Sequence, residues 1–427
     1  MTLYHRLLAT HRIPWRVRNG FETWVEGPCR ERHTSFYRWL HLGVAAELLE
    51  PVTKGPLHHF FGYYDKSPWN RSGRQLLAHE AQFNDRAPSA EDRLGIGVID
   101  RHKGGGFRRL TQTLSWNWQQ GAMAQWLPAE PERQFSYNDR RNGQVVGVIF
   151  DVTDGEQAVL NRPIYAWLPD GSSGYSLNFA RLAEHRPGYG YAGCEDPHRN
   201  DPHPVSDGIW RINPKSGSSD LIVSLDELAK KDPKASMHNA WHYVNHIQPS
   251  RGGARIAFFH LWHKDDSGWE VRLYTCRSDG SELSCWLDTG FISHYDWRDD
   301  DAILVWANQK SGPARFLLVG PPNLAPEVFA GETVKEDGHC SFSPNGRWVL
   351  NDTYPDRHQM RNLMLLDSAS GRRRDIARLH SPKSRWWGEL RCDLHPRWSR
   401  DGKAVCIDSV HEGTRQMYVV DVSRWVG

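Results

Sequence analysis

Several histidines and one thiol stand in this chain where a metal ion or a proton could use them. The segment Asp337-Gly338-His339-Cys340-Ser341-Phe342-Ser343-Pro344-Asn345-Gly346 has a second copy further on. That copy is Arg391-Cys392-Asp393-Leu394-His395-Pro396-Arg397-Trp398-Ser399-Arg400-Asp401-Gly402. Aligned on Ser-Pro-Asn-Gly and Ser-Arg-Asp-Gly, both copies place a histidine four residues before the serine, His339 and His395. Turns of the same kind earlier in the chain are preceded by Tyr63 with Asp65, by His246 and by His294, in a register that is close but not identical. Cys392, His339 and His395 form a thiolate and two-imidazole set that suits Zn²⁺, with water, Asp393 or His294 as a fourth ligand. The competing reading of Cys392 is a buried, apolar-like cysteine. His246 and His294 could instead transfer protons, because imidazole titrates near neutral pH. Arg181, Arg186, Tyr189 and Tyr191 fall in one stretch, where arginine would match a carboxylate by bidentate hydrogen bonding. His59 and Tyr63 belong to a further polar aromatic run, His58-His59-Phe60-Phe61-Gly62-Tyr63-Tyr64-Asp65.

The elements that must position these residues are short strands. Seven turns recur at spacings of roughly 40–80 residues, starting at Ser67, Leu127, Leu168, Gln248, Trp297, Ser343 and Ser399. Each leads into an apolar run such as Arg255-Ile256-Ala257-Phe258-Phe259 or Ala302-Ile303-Leu304-Val305-Trp306. Strand-turn-strand units with little helix between them predict an all-β, seven-bladed β-propeller, with a pair of β-sandwiches as the alternative. The propeller is expected over residues 51–427, preceded by a short N-terminal extension over 1–50 in which Phe36–Leu49 has helical spacing. Within the array Ser224–Lys231 reads as a short helix. An insertion at about Glu184–Ser206 makes the third blade the longest, and such loops commonly roof a propeller's binding site.

Composition narrows the function classes. A net charge of +2 over 427 residues predicts no nucleic-acid partner. No apolar run reaches the ~18 residues of a spanning helix, so no membrane role is expected. The seven cysteines are odd in number and lack a CxxC pair. Together with the absence of a leader-like start, they predict a cytoplasmic protein, secretion being the alternative. No GxSxG, HExxH or P-loop pattern occurs, which removes several common enzyme classes.

Asp337-Gly338-His339-Cys340-Ser341-Phe342-Ser343-Pro344, Ser293-His294-Tyr295-Asp296-Trp297, Asn245-His246-Ile247-Gln248-Pro249 and the Arg391–Ser399 stretch resemble one enzyme group. It is the seven-bladed β-propeller polysaccharide lyases, the ulvan lyases and, more distantly, the oligogalacturonate lyases. The likeness runs from about residue 55 to the end and is most specific in the last four blades. It implies β-elimination on an anionic, uronic-acid-containing oligo- or polysaccharide. His and Tyr then serve as base and acid, Arg or His neutralise the carboxylate, and a divalent metal sits in the cleft. Carried over, it implies His246, His294 and Tyr189 for proton transfer or carboxylate binding. It further implies Arg181 or Arg186 for the carboxylate, and His339, Cys392 and His395 for the metal. Cys392 stands near the place of the group's Gln, and Arg397 near that of a further His, a departure that favours zinc over manganese. Two other readings use the same scaffold. One is a glycoside hydrolase, for example acting on a rhamnosyl-glucuronate; the other is a non-catalytic TolB-like propeller that binds glycan or protein.

Overall fold

The turn after each channel-lining strand sets the repeat. In Ser343-Pro344-Asn345-Gly346 the Ser343 N–H donates to the Trp348 carbonyl, and the Gly346 N–H donates to the Ser343 carbonyl. The Ser343 hydroxyl oxygen then accepts from the Trp348 N–H at 2.9 Å. Ser399-Arg400-Asp401-Gly402 repeats these bonds with Ala404 in the place of Trp348. Gly346 and Gly402 lie at φ 73° and 70°, a left-handed conformation that a Cβ resists. Asn70 with Gly73, and Ser250 with Gly253, close the first and fourth blades in the same way.

The structure is a computed structural model and describes residues 48–101, 105–264, 268–383 and 385–427. The strands of these residues form seven four-stranded antiparallel sheets, which is the expected seven-bladed β-propeller. The channel-lining strands are His58–Phe60, Gln125–Trp126, Ala166–Trp167, Trp241–Pro249, Ile292–Trp297, Ser341–Phe342 and Arg397–Trp398. Six of the seven predicted turns directly follow or overlap the ends of these strands, and the first, at Ser67, is separated from His58–Phe60 by the six residues 61–66. The seventh blade is completed by Leu49–Pro51, which pairs with Val420, Val419 and Tyr418. The expected boundary at residue 50 therefore falls inside the strand that closes the ring. The helical spacing expected over Phe36–Leu49 lies, up to residue 47, outside the described residues.

Tryptophan indoles tie blade to blade. Trp126 Nε1–H donates to the Pro68 carbonyl, Trp297 to Gln248 and Trp398 to Ser341, in each case reaching the preceding blade. Trp167 does the same through the Ser136 hydroxyl. A chain with 20 tryptophans thus uses several as wedges that bury a large ring and satisfy the N–H together. The expected short helix is Leu225–Lys230, capped by the Ser224 hydroxyl. A second helix, Phe179–His185, capped by Asn178, opens the third-blade insertion.

Candidate active site

Four consecutive blades bring histidines to one point on the axis. His294 and His339 rings lie 4.0 Å apart, and His339 and His395 rings 4.4 Å apart. Tyr63 lies over His395 at 4.9 Å and over His246 at 5.2 Å. Local backbone irregularities aim these rings. The pairing register shifts between Asn245 and Gln248, and again between Ile292 and Tyr295. Each bulge turns a histidine toward the channel. His246 and His395 hold φ at 57° and 41°, a strained region for a side chain of this size, and one that tends to mark functional positions.

His339 is placed by a close backbone approach. A Cβ on Gly338 would stand 1.9 Å from the Asp352 carbonyl oxygen, so only glycine fits. The next residue donates both its N–H and its Nδ1–H to Asp352 Oδ1, each at 2.8 Å. His395 donates Nδ1–H to the Gly62 carbonyl at 2.7 Å. In both rings the Nδ1 bond fixes the tautomer and leaves Nε2 with its lone pair. Both Nε2 atoms are buried and have no hydrogen-bond partner among the described residues. Asp393 joins them: ligand atoms of His339, Asp393 and His395 fall within 4.8 Å of one another. Burial works against charge on Asp393, but the Arg361 and Arg391 guanidiniums overcome it and hold the carboxyl well below its ordinary range. Burial, with His339 next in weight, pushes the His395 imidazolium form far out of reach at neutral pH. Two imidazoles that aim Nε2 at the axis and an ionised carboxylate fit a divalent cation, each ring being held through Nδ1 by an outer partner.

Cys392 is outside this group. Its thiol packs with Trp386 and Val410, and burial pushes it up to about 11. Asp393, one residue on, supplies the third donor. This corrects the expected ligand set, and with the thiolate goes the reason for preferring zinc. The signal was in the sequence, since both repeat copies read Asp-x-His: Asp337-Gly338-His339 and Asp393-Leu394-His395. Asp337 in turn holds His294 through Nδ1 at 3.1 Å.

The expected proton-transfer residues converge around the same point. Tyr63 Oη and His246 Nε2 are 2.5 Å apart. Burial above all, then His294, keeps His246 neutral. Tyr189 stands 5.7 Å from the His246 ring, and its hydroxyl oxygen accepts from Arg391 Nη2 at 2.9 Å. Arg391 also donates to Asp393 through Nε at 2.7 Å, so one guanidinium joins the metal-competent carboxylate to the phenol. Nothing in the sequence reading had singled it out. Solvent reaches the group beside Tyr354, Asp337 and Arg391, which are part-exposed.

The other expected residues lie elsewhere. Arg181 is buried, and its donors go to Asp196 and the carbonyls of His242, His198, Asp201 and Pro202. It organises the insertion and has no donor left for a substrate carboxylate, which corrects that expectation. Arg186 stacks on Trp269 at 3.7 Å and lies 5.4 Å from the Tyr189 ring, beside the phenol rather than within the histidine group. His59 is held between Gln416 and Glu80, away from the axis.

No protein-family model matches the sequence, and no curated protein matches it. Among solved structures, the chain is similar to an oligogalacturonate lyase from Vibrio parahaemolyticus. The TM-score is 0.61 at 13% identity, over 87% of this chain and 93% of that one. It is also similar to an oligogalacturonate lyase in complex with manganese, with a TM-score of 0.60 at 14% identity, over 87% and 92% of the two chains. At these identities the likeness establishes the shared propeller fold.

Proposed function

We propose that this protein is a lyase that cleaves a uronic-acid-containing oligosaccharide by β-elimination. The observation that carries the reading is the joining of a metal-competent triad to two phenols, through Arg391 on one side and the Tyr63–His395 contact on the other. The structural neighbours, one of them an oligogalacturonate lyase in complex with manganese, support it. His339, Asp393 and His395 would hold a divalent cation, with His294 beside them, and the donor set suits Mn²⁺ as well as Zn²⁺. A cation bound there supplies the positive charge that stabilises a uronate carboxylate as its α-carbon loses a proton.

The chain's own residues then move the protons. Tyr63 Oη takes the C5 proton as its phenolic proton passes to His246 Nε2, which burial keeps unprotonated at neutral pH. The C5–H electron pair forms the C4=C5 bond, and the C4–O bond breaks. Tyr189 protonates the leaving oxygen, and Arg391 stabilises the phenolate that remains. Asp393, Asp352 and Asp408 are each tied to arginine or histidine. Among the described residues of this group, no free carboxylate pair favours the hydrolase reading.

The test is incubation of metal-loaded protein with a panel of galacturonate, glucuronate and ulvan-type oligosaccharides, following the ultraviolet absorbance of a 4,5-unsaturated uronate. A rise that is lost in His294→Ala and Tyr189→Phe supports the lyase. New reducing ends without the chromophore would make the protein a hydrolase, and binding with neither signal a non-catalytic propeller.

A further inference from the structure

The residues two positions beyond the axial side chains build a second layer. After Tyr63, His246, His294, His339 and His395 come Asp65, Gln248, Asp296, Ser341 and Arg397. All five line one cavity of about 300 Å³, beside the turns at the far end of the channel-lining strands. Tyr64 separates the layers. Its ring touches His294, His339 and His395, and it also lines the cavity. Its hydroxyl accepts from the Tyr295 N–H at 2.9 Å and donates to the Tyr295 carbonyl at 2.8 Å, which pins the ring across the channel.

Polar atoms that have no hydrogen-bond partner among the described residues line this cavity. Asp65, its side chain 5% exposed, receives Lys66 Nζ on Oδ2 at 2.5 Å, while its Oδ1 has no hydrogen bond. Ser341 Oγ and Arg397 Nε are buried and likewise unpartnered. Arg400 uses Nε and Nη2 on the Trp69 carbonyl, and among the described residues no carboxylate pairs with it. Its side chain is exposed to solvent. Trp398 and Pro344 give the cavity an apolar wall. Native proteins rarely leave buried polar atoms unsatisfied. This set offers an unpaired cation, a carboxylate acceptor and a hydroxyl together, beside a flat apolar face.

We propose that this cavity is a second binding site, for a small hydroxylated carboxylate of monosaccharide size. The carboxylate would pair with Arg400, and the hydroxyls would donate to Asp65 Oδ1 and exchange hydrogen bonds with Ser341 Oγ. A volume of about 300 Å³ is at the lower end for small-molecule sites, which suits a single ring. The site does not depend on the reaction assigned to the histidine layer.

The test titrates D-galacturonate into the full chain by calorimetry, with methyl galactoside as the neutral counterpart. Binding of galacturonate and not of the galactoside is expected, and Arg400→Gln should weaken it at least about tenfold, the scale of a lost charge-assisted hydrogen bond. His395→Ala should leave it unchanged. Should Arg400→Gln misfold, as judged by circular dichroism, Ser341→Val serves in its place and should weaken binding severalfold. Equal binding of both sugars, binding that disappears in His395→Ala but survives Arg400→Gln, or no heat at millimolar sugar would each overturn the proposal. Chromophore formation that persists in Arg400→Gln while galacturonate binding is lost would show that the two sites stand or fall separately.

Discussion

The Nε2 atoms of His339 and His395 decide what the axis can hold. Each is stripped of protein partners by an Nδ1 bond that faces away from the centre, one to Asp352 and one to Gly62. Orientation by such outer partners typically accounts for 10–100-fold in metal affinity. Asp352→Asn should therefore weaken Mn²⁺ or Zn²⁺ binding by roughly that factor in a competitive chelator titration. Cys392→Ser should leave the bound stoichiometry unchanged, because the thiol packs against Trp386 and Val410. A loss of metal in Cys392→Ser would return the thiol to the ligand set. Tyr189 offers a separate reading of the same centre. If it protonates the leaving oxygen, Tyr189→Phe should lower kcat by about 10²–10⁴-fold, the range of general acid catalysis, with little change in KM. A rise in KM alone would make Tyr189 a binding residue.

At the scale of elements, the site depends on departures from regular strand geometry, and these are what the sequence pattern hides. Strand alternation and the seven turns are legible because Pro-Asn-Gly chemistry and apolar runs are local. The histidine register is not legible, because bulges at His246 and His294 add residues that no period-two pattern announces. Counting back from the turns thus finds the histidines whose rings converge on the axis, without explaining their unequal offsets. The sequence ranks Cys392 ahead of Asp393, which it offers only as a possible fourth ligand, because donor softness is legible there and side-chain direction is not. Two glycines separate geometry from packing. Among the described residues no atom beyond its chain neighbours lies within 4 Å of a would-be Cβ on Gly346, so Gly346→Ala should cost only the left-handed backbone penalty of about 1–2 kcal/mol in a denaturant melt, with metal binding intact. Gly338→Ala drives a Cβ onto the Asp352 carbonyl. It should destabilise by about 1–3 kcal/mol and also weaken metal binding, because His339 is displaced. Equal metal affinity in both variants would sink the claim that Gly338 positions His339.

At the scale of the whole molecule, ring closure was the least legible feature. Leu49–Pro51 is only three residues long and pairs with strand Gln416–Asp421 at the other end of the chain. A strand so short carries no periodicity, and its partner is set by closure of the ring rather than by local pattern. The assembled ring also imposes a charge state on its interior. Burial, above all, pushes His58, His79, His185 and His242 down to about 4, whereas in an unfolded chain they titrate near ~6.5. Between those values the unfolded chain binds more protons than the folded one, so stability rises with pH. Their contribution is fully present above ~6.5 and is lost as pH falls toward 4, each group adding at most about 1.4 kcal/mol per pH unit. Acidic groups with lowered values, such as Asp356 and Asp367, act in a lower window, below the ordinary carboxylate range. Denaturant midpoints measured at pH 7, 6 and 5 should therefore fall steadily, above the window in which Asp356 and Asp367 act. His79 is fully buried, with its Nε2 accepting from the Ala122 N–H at 3.2 Å. His79→Gln keeps an acceptor and removes the titration, so its midpoint should fall less steeply with acid than that of the wild type. Parallel slopes would mean that His79 stays unprotonated in the unfolded chain as well, or protonates without cost in the folded one, and either would contradict burial as the cause.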